Sequence, residues 1–273
     1  MASPVFSPAT VIDYPETDGL PVAESDFQLV PLIYAVEALR LYFSNAVPEV
    51  YVSGNLFIYY EEGNPRAVIA PDVFVVRGAP RHTRRIYQLW REPKGPDFVL
   101  EITSRQTRRA DQMDKPSTYA ALGVREYFQY DPTGDYLRPP LQGGTLVAGT
   151  YQALPVTTDA SGALEIHSAV LGLTLHAEEG QLHFYNPATG QWLPTYAEAE
   201  LARQAAEARA AQEAEARQAA EVRAAQEAEA RQAAEARAAQ EAIIYAAAQT
   251  RIAELEAQLQ ALRAAQTGQP PLE

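Results

Sequence analysis

Two carboxylates interrupt apolar runs in this sequence, and a rare lysine follows them. Asp72 opens Pro71-Asp72-Val73-Phe74-Val75-Val76, and Glu101 sits inside Phe98-Val99-Leu100-Glu101-Ile102. An acid in such a run carries a heavy desolvation cost unless a metal ion or a lysine faces it. Lys94 and Lys115 are the two lysines among 22 basic side chains, the rest being arginine. A lysine is a compact point charge whose proton affinity responds to burial, whereas a guanidinium stays protonated. Asp72, Glu101 and Lys115 around a divalent cation would make a set suited to phosphodiester hydrolysis. The carboxylates would hold Mg²⁺ through oxygen, and the ion would acidify a water and offset phosphate charge. The lysine would orient or deprotonate that water, or stabilise the pentavalent phosphorus. Taken singly the residues have plainer readings: Asp72 as a turn at a strand entrance, Glu101 as half of a buried ion pair, Lys115 as neutralising Asp111 or Asp114. A two-carboxylate glycosidase would use Asp72 and Glu101 but leave Lys115 idle.

These side chains meet only if the intervening chain forms a sheet with a helix behind it. Residues 27–44 carry a broad apolar face at helical spacing behind Asp26, a residue suited to capping. Residues 49–53 and 56–61 alternate as strands about a Ser-Gly-Asn turn, and 62–65 form a loop. The runs 72–76 and 98–103 are central strands covered on both faces. A helix runs from 111 or 114 to 122, with Pro116 tolerable in its first turn, and Gly123 closes it before a strand over 124–131. Short β pieces follow at 136–141, 145–151, 164–166, and 171–176 with 181–185, and 186–190 is a turn. The order gives an α/β or α+β domain around a mixed central sheet.

The net charge of −13 argues against nucleic-acid binding through bulk charge. The stretch from Arg77 to Lys115 is nevertheless net positive, and Arg105, Arg108 and Arg109 lie between the second acid and the lysine, where they could contact DNA phosphates without reading sequence. His82, His167, His176 and His183 show no metal-ligand spacing. The absence of cysteine fits a reducing cytoplasm, and no apolar run is long enough to span a membrane.

From Ala202 a fourteen-residue unit repeats, ARQAAEARAAQEAE, built of strong helix formers. Arginine and glutamate recur four apart, as in Arg203 with Glu207, which supports a helix along its surface. Tyr245, Ala248, Ile252, Leu255, Leu259 and Leu262 alternate spacings of three and four, the rhythm of a short coiled coil. The expected organisation is a flexible N-terminus over 1–17, a globular domain over 18–195 (core 24–132, β-rich extension 133–195), a long helix over 196–266 with a coiled coil near 245–262 serving homo-oligomerisation, and a disordered tail over 267–273.

Pro71-Asp72, Glu101-Ile102-Thr103-Ser104, Asp111, Lys115, Tyr119, Gly123-Val124-Arg125-Glu126-Tyr127 and Asp131-Pro132 occur here in an order and spacing that resembles the Uma-type restriction endonuclease family of the PD-(D/E)XK nuclease superfamily. The likeness extends through Ala23-Glu24-Ser25-Asp26, residues 51–65 and 135–143, and covers roughly 18–194. It implies a core of helix, three strands, helix and strand, a DNA substrate and Mg²⁺, with Mn²⁺ as a substitute. It further implies Asp72 and Glu101 as metal-binding acids, the Ile102 carbonyl as a third metal ligand, and Lys115 as the catalytic lysine, delivered by the following helix. The superfamily's usual lysine position, two residues past the second acid, is Thr103 here. Glu24 and Glu37 compete as an acid from the first helix, and Gln28 stands near where many relatives have histidine. Ser104 and Asp111 read as supporting or capping groups, and Tyr119 and Tyr127 as core. The runner-up is a nuclease-fold DNA-binding or scaffold module with little activity.

Overall fold

The computed structural model describes residues 12–17, 25–46, 48–104, 107, 109 and 113–267, with side-chain burial to 263. The chain divides into two compact units, Met1–Glu200 and Leu201–Glu273.

The first unit begins with α1 (Asp26–Tyr42). Ser25, rather than Asp26, is its N-cap, and Gln28 reaches back so that its Oε1 accepts the Ser25 N–H at 3.4 Å. Six strands make the central sheet: β1 (Val50–Ser53), β4 (Val73–Arg77), β6 (Phe98–Ile102), β7 (Glu126–Tyr130), β8 (Leu141–Val147) and β9 (Thr150–Ala153). They lie in the order β1-β4-β6-β7-β8-β9. Its one parallel pair, β6 with β7, is joined by α2 (Lys115–Ala121). A parallel pair needs such a crossover, and the crossover delivers α2 to one face of the sheet. Alternate residues feed two cores. Val73, Val75, Phe98, Leu100 and Phe128 pack with α1 residues such as Leu39. Phe74, Val76, Val99 and Tyr127 pack with Tyr119 of α2. Burial on both faces is why these strands read as continuous apolar runs.

Three departures from the sequence expectation have local causes. Of residues 56–61, β2 (Ile58–Tyr59) is strand, and it joins β3 (Val68–Ile69) and β5 (Tyr87–Gln88) in a separate sheet instead of folding back on β1. The chain turns away because Asn55 adopts φ 48° and donates its N–H to the Pro71 carbonyl at 3.0 Å. The 145–151 run is two strands, since Ala148 (φ 48°) and Gly149 (φ 83°) form a tight hairpin turn between β8 and β9. Over 136–140 no strand forms, because backbone donors go to buried Asp131 instead. Its Oδ1 accepts from Thr133 and Gly134 N–H at 3.1 and 3.0 Å, and its Oδ2 from Leu137 N–H at 3.0 Å. Burial alone would raise the Asp131 carboxyl, but the Tyr136, Leu137 and Thr133 donors outweigh it and hold it below the usual range.

A second, antiparallel sheet carries β10 (Thr157–Thr158), β11 (Leu164–Ser168), β12 (Leu173–Glu178), β13 (Gln181–Asn186) and β14 (Gln191–Trp192) in sequence order. Its inner residues Ile166, Leu175 and Phe184 share the α1 core. Buried Glu126 ties it to the central sheet by accepting the Ala169 N–H at 3.0 Å. Within the N-terminal segment expected to be flexible, residues 12–17 contact the globular unit, the Tyr14 ring sitting 5.0 Å from Tyr59 and 5.3 Å from Trp90. The rest of the expected flexible N-terminus, 1–11, lies outside the described residues, as does 268–273 of the expected tail.

α3 (Tyr196–Thr267) is one helix of 72 residues. A reciprocal cap starts it, in which the Thr195 N–H donates to Glu198 at 2.8 Å and the Glu198 N–H donates back to Thr195 Oγ1 at 3.3 Å. Along the second unit Arg231 pairs with Glu227 at 2.8 Å, and Arg203 with Glu207. Among the described residues no helix is long and apolar enough to cross a membrane.

Candidate active site

β4 and β6 run antiparallel with Val73 opposite Leu100, Phe74 opposite Val99 and Val75 opposite Phe98. Continuing that register by one residue puts Asp72 opposite Glu101. Both share the parity of Phe74 and Val99, so they face the side of the sheet that carries α2. The close approach at this edge depends on Gly54, where a Cβ would stand 2.3 Å from the Asp72 carbonyl oxygen and 3.0 Å from Val36 Cγ2. Asp72 is half-buried, and its Oδ2 accepts the Ile102 N–H at 2.6 Å.

Glu101 is fully buried at 0 % exposure. Lys115, the first residue of α2, donates to its Oε2 at 2.8 Å, and Tyr119, one turn on, donates to its Oε1 at 2.5 Å. The i,i+4 spacing of Lys115 and Tyr119 puts both on the helix face turned to the sheet. Burial first, and then the Glu101 carboxylate, push the Tyr119 phenol well above its usual range, with a smaller contribution from Asp72. That phenol is therefore a fixed donor at neutral pH, and it locks the Glu101 carboxylate in orientation. Tyr119 was expected to be core; it is fully buried and also touches the acid.

Two further groups had no role assigned from sequence, Thr103 having been noted only as standing at the usual lysine position. Gln129 lies opposite Glu101 in the β6–β7 register, and Thr103 is two residues past Glu101 on the same face. Gln129 Nε2 and Thr103 Oγ1 are buried and without a hydrogen-bond partner among the described residues. Buried polar groups are normally satisfied, so these two leave hydrogen-bonding capacity beside the acid that a water or a polar ligand could take up. The row Asp72, Glu101, Gln129 across three strands could be found only through strand register.

This environment fits a hard divalent cation. The donor set is all oxygen, the carboxylates face one side from adjacent strands, and an ionised carboxylate offers about four lone-pair sites, of which Lys115 and Tyr119 take two at Glu101. Ile102 lies in β6 with its N–H on Asp72, so its carbonyl belongs to the same strand end.

Ser104 closes a local turn in which its Oγ accepts the Thr107 N–H at 3.1 Å, a capping role. Arg109 is exposed. Glu37, expected in an apolar setting, is instead 40 % exposed at its side chain and pairs with Arg40 at 3.1 Å. Glu24, Arg105, Arg108 and Asp111 lie outside the described residues. Lys94, the other lysine, neutralises buried Asp97 at 2.5 Å, which also accepts from Arg125.

The histidines were given no ligand role from spacing, and strand register brings one of them beside two acids. Among the described residues, Asp159, Glu165 and His176 bring ligand atoms within 4.8 Å of one another. The register places His176 opposite Glu165, and its Nε2 lies 3.2 Å from Asp159 Oδ2. This trio could hold a metal but sits in the second sheet, and Asp159 also serves its own turn by accepting the Ser161 N–H at 2.8 Å.

The family described as "Uma2: Putative restriction endonuclease" matches residues 30–210, more than half of the chain. A solved structure titled "putative nuclease belonging to DUF820" from Anabaena variabilis ATCC 29413 is similar at 12 % identity and a TM-score of 0.37, covering 52 % of this chain and 75 % of that one. No curated protein matches.

Proposed function

We propose, for a chain that belongs to the Uma2 restriction endonuclease family, that its function is Mg²⁺-dependent endonucleolytic hydrolysis of DNA phosphodiester bonds at the Asp72–Glu101–Lys115 cluster. One observation supports the reading most: the buried Glu101 carboxylate is held by a lysine and a tyrosine from the crossover helix, and continuing the strand register sets Asp72 opposite it. Asp72, Glu101 and the Ile102 carbonyl would hold the ion, which when bound acidifies water and offsets phosphate charge, Mn²⁺ serving as a substitute. Lys115 enters as an ammonium, since it is an ion pair with buried Glu101. Its role is accordingly to orient the attacking water and to stabilise negative charge building on the phosphate oxygens, not to remove a proton. Tyr119 keeps the Glu101 carboxylate aimed while that charge shifts. Exposed Arg109, with Arg105 and Arg108 beside it in sequence, would contact DNA backbone phosphates.

Self-association through the 245–262 segment of α3 belongs to the same proposal. A second reading, a DNA-binding or scaffold module with little turnover, is favoured by one feature, namely that both Glu101 oxygens are already engaged by Lys115 and Tyr119. Supercoiled plasmid incubated with the protein and Mg²⁺ separates the two. The nuclease reading expects nicked and linear products that EDTA abolishes and Lys115→Ala slows at least a hundredfold. DNA bound with no turnover in Mg²⁺ or Mn²⁺ establishes the scaffold instead, and equal cutting by the variant removes Lys115 from the mechanism.

A further inference from the structure

The C-terminal helix ends in a stripe that its own unit leaves uncovered. Ile252, Leu255, Leu259 and Leu262 are 56, 49, 50 and 67 % exposed. They continue the three-four alternation begun at Tyr245 and Ala248, so Tyr245, Ile252 and Leu259 take the a positions of a heptad, and Ala248, Leu255 and Leu262 the d positions. Upstream the fourteen-residue repeat offers no such stripe, because arginine and glutamate recur where the seam would run. The apolar seam is therefore confined to about three heptads, and its occupant must carry a matching seam of the same length.

The flanking charges choose that occupant and its direction. In this frame Arg251 is a g residue, Glu256 and Arg263 are e residues, and Gln258 is g. A second copy laid parallel and in register sets each Arg251 beside the Glu256 of the other helix, twice by symmetry, with Gln258 facing Arg263. An antiparallel copy with the same seam overlap sets Arg251 against Gln258 and Glu256 against Gln249, and gains no ion pair. Within its own helix Arg251 bonds Glu254 at 2.8 Å, an exposed contact that its side chain can exchange for a cross-helix one at little cost. Ile252 at a, with Leu255 and Leu262 at d, also suits two parallel strands.

We infer that residues 245–262 form a parallel, in-register, two-stranded coiled coil with a second copy of this chain. The inference rests on the proposed self-association and adds its direction, register and number. Its functional consequence follows from stoichiometry. A dimer of this chain carries two of the proposed hydrolytic sites per particle. Such an arrangement suits the cutting of both strands of one duplex.

The chain has no cysteine, so an introduced thiol reports without background. Ala248→Cys in the full-length protein, mildly oxidised, tests direction. Parallel pairing stacks the two thiols at one d layer and links them, whereas in the antiparallel alignment they stand roughly 16 Å apart, beyond disulfide reach. Ala248→Cys forming a disulfide-linked dimer is the expected result. Linkage only when Ala248→Cys is mixed with Leu259→Cys would overturn the direction while leaving self-association intact. A monomeric mass by light scattering at high concentration, with no linkage in either case, would overturn both. Glu256→Arg should weaken the dimer about tenfold in sedimentation equilibrium, and Arg251→Glu added to it should restore the wild-type mass. Indifference of the dimer to the charge swap would reject the assigned register.

Discussion

Replacing Lys115 by methionine isolates the energetics of the cluster before any catalysis is asked of it. Glu101 is 0 % exposed, and its ammonium partner, 2.8 Å away, is itself only 18 % exposed at the side chain. Removing that partner leaves a buried carboxylate still bonded by the Tyr119 hydroxyl but without its balancing charge. Breaking buried pairs from one side costs about 3–5 kcal/mol, and the partial exposure of Lys115 puts this case near 3 kcal/mol. Glu101→Gln should cost less, about 1.5 kcal/mol, because the stranded ammonium can turn toward solvent. The double variant buries no unbalanced charge and should cost about 2 kcal/mol, so the single effects should overshoot it by about 2.5 kcal/mol. Trp90 and Trp192, the two tryptophans, both lie in the 1–200 unit, so their fluorescence in urea follows that unit without the helical arm. With a slope of about 2 kcal/mol per molar urea, Lys115→Met should lower the midpoint by about 1.5 M in EDTA. A midpoint within about 0.3 M of wild type, or strict additivity in the double variant, would refute the claim that the lysine balances the buried acid.

Other perturbations follow from the same geometry. Gly54→Ala drives a methyl to 2.3 Å from the Asp72 carbonyl oxygen, against backbone that cannot swing aside, and should cost about 3 kcal/mol in urea unfolding while impairing nicking. Thr103→Val removes an orphaned buried hydroxyl at constant shape; it should leave stability unchanged or raise it by about 1 kcal/mol, yet slow plasmid cleavage, and a loss of stability would mean the hydroxyl is satisfied in solution. Asp131, held below its ordinary range in the folded state, contributes stability that is full above its unfolded pKa of about 3.9 and fades as pH falls through the folded value. Asp131→Asn should therefore be less stable at neutral pH and lose much of that gap near pH 2, as read by thermal melts across the acid range.

Much of this arrangement is legible in the residues themselves. Asp72 and Glu101 advertise themselves by standing in runs otherwise buried on both faces, and Lys115 by being a lysine in an arginine-rich chain at the head of a crossover helix. Tyr119 is harder, since a tyrosine on an apolar face fills a core, and here it does that and bonds Glu101 as well. Gln129 and the pairing of His176 with Glu165 are invisible in one dimension, because strand register alone joins residues 28 and 11 positions apart. The hairpin at Ala148 is missed for a different reason. Alanine at positive φ carries no compositional sign, and the adjoining Gly149 serves equally well inside a bulge. The replacement of a strand by the turn over 136–140 depends on one buried carboxylate gathering backbone donors, an arrangement that propensity does not encode.

The claim on which the functional account stands is that Asp72 and Glu101 share one divalent ion within reach of Lys115. Crystals soaked in Mn²⁺ and measured for anomalous scattering test it directly. The account predicts a peak about 2.2 Å from a carboxylate oxygen of each acid. No density there, or a peak confined to Asp159, Glu165 and His176, would contradict it.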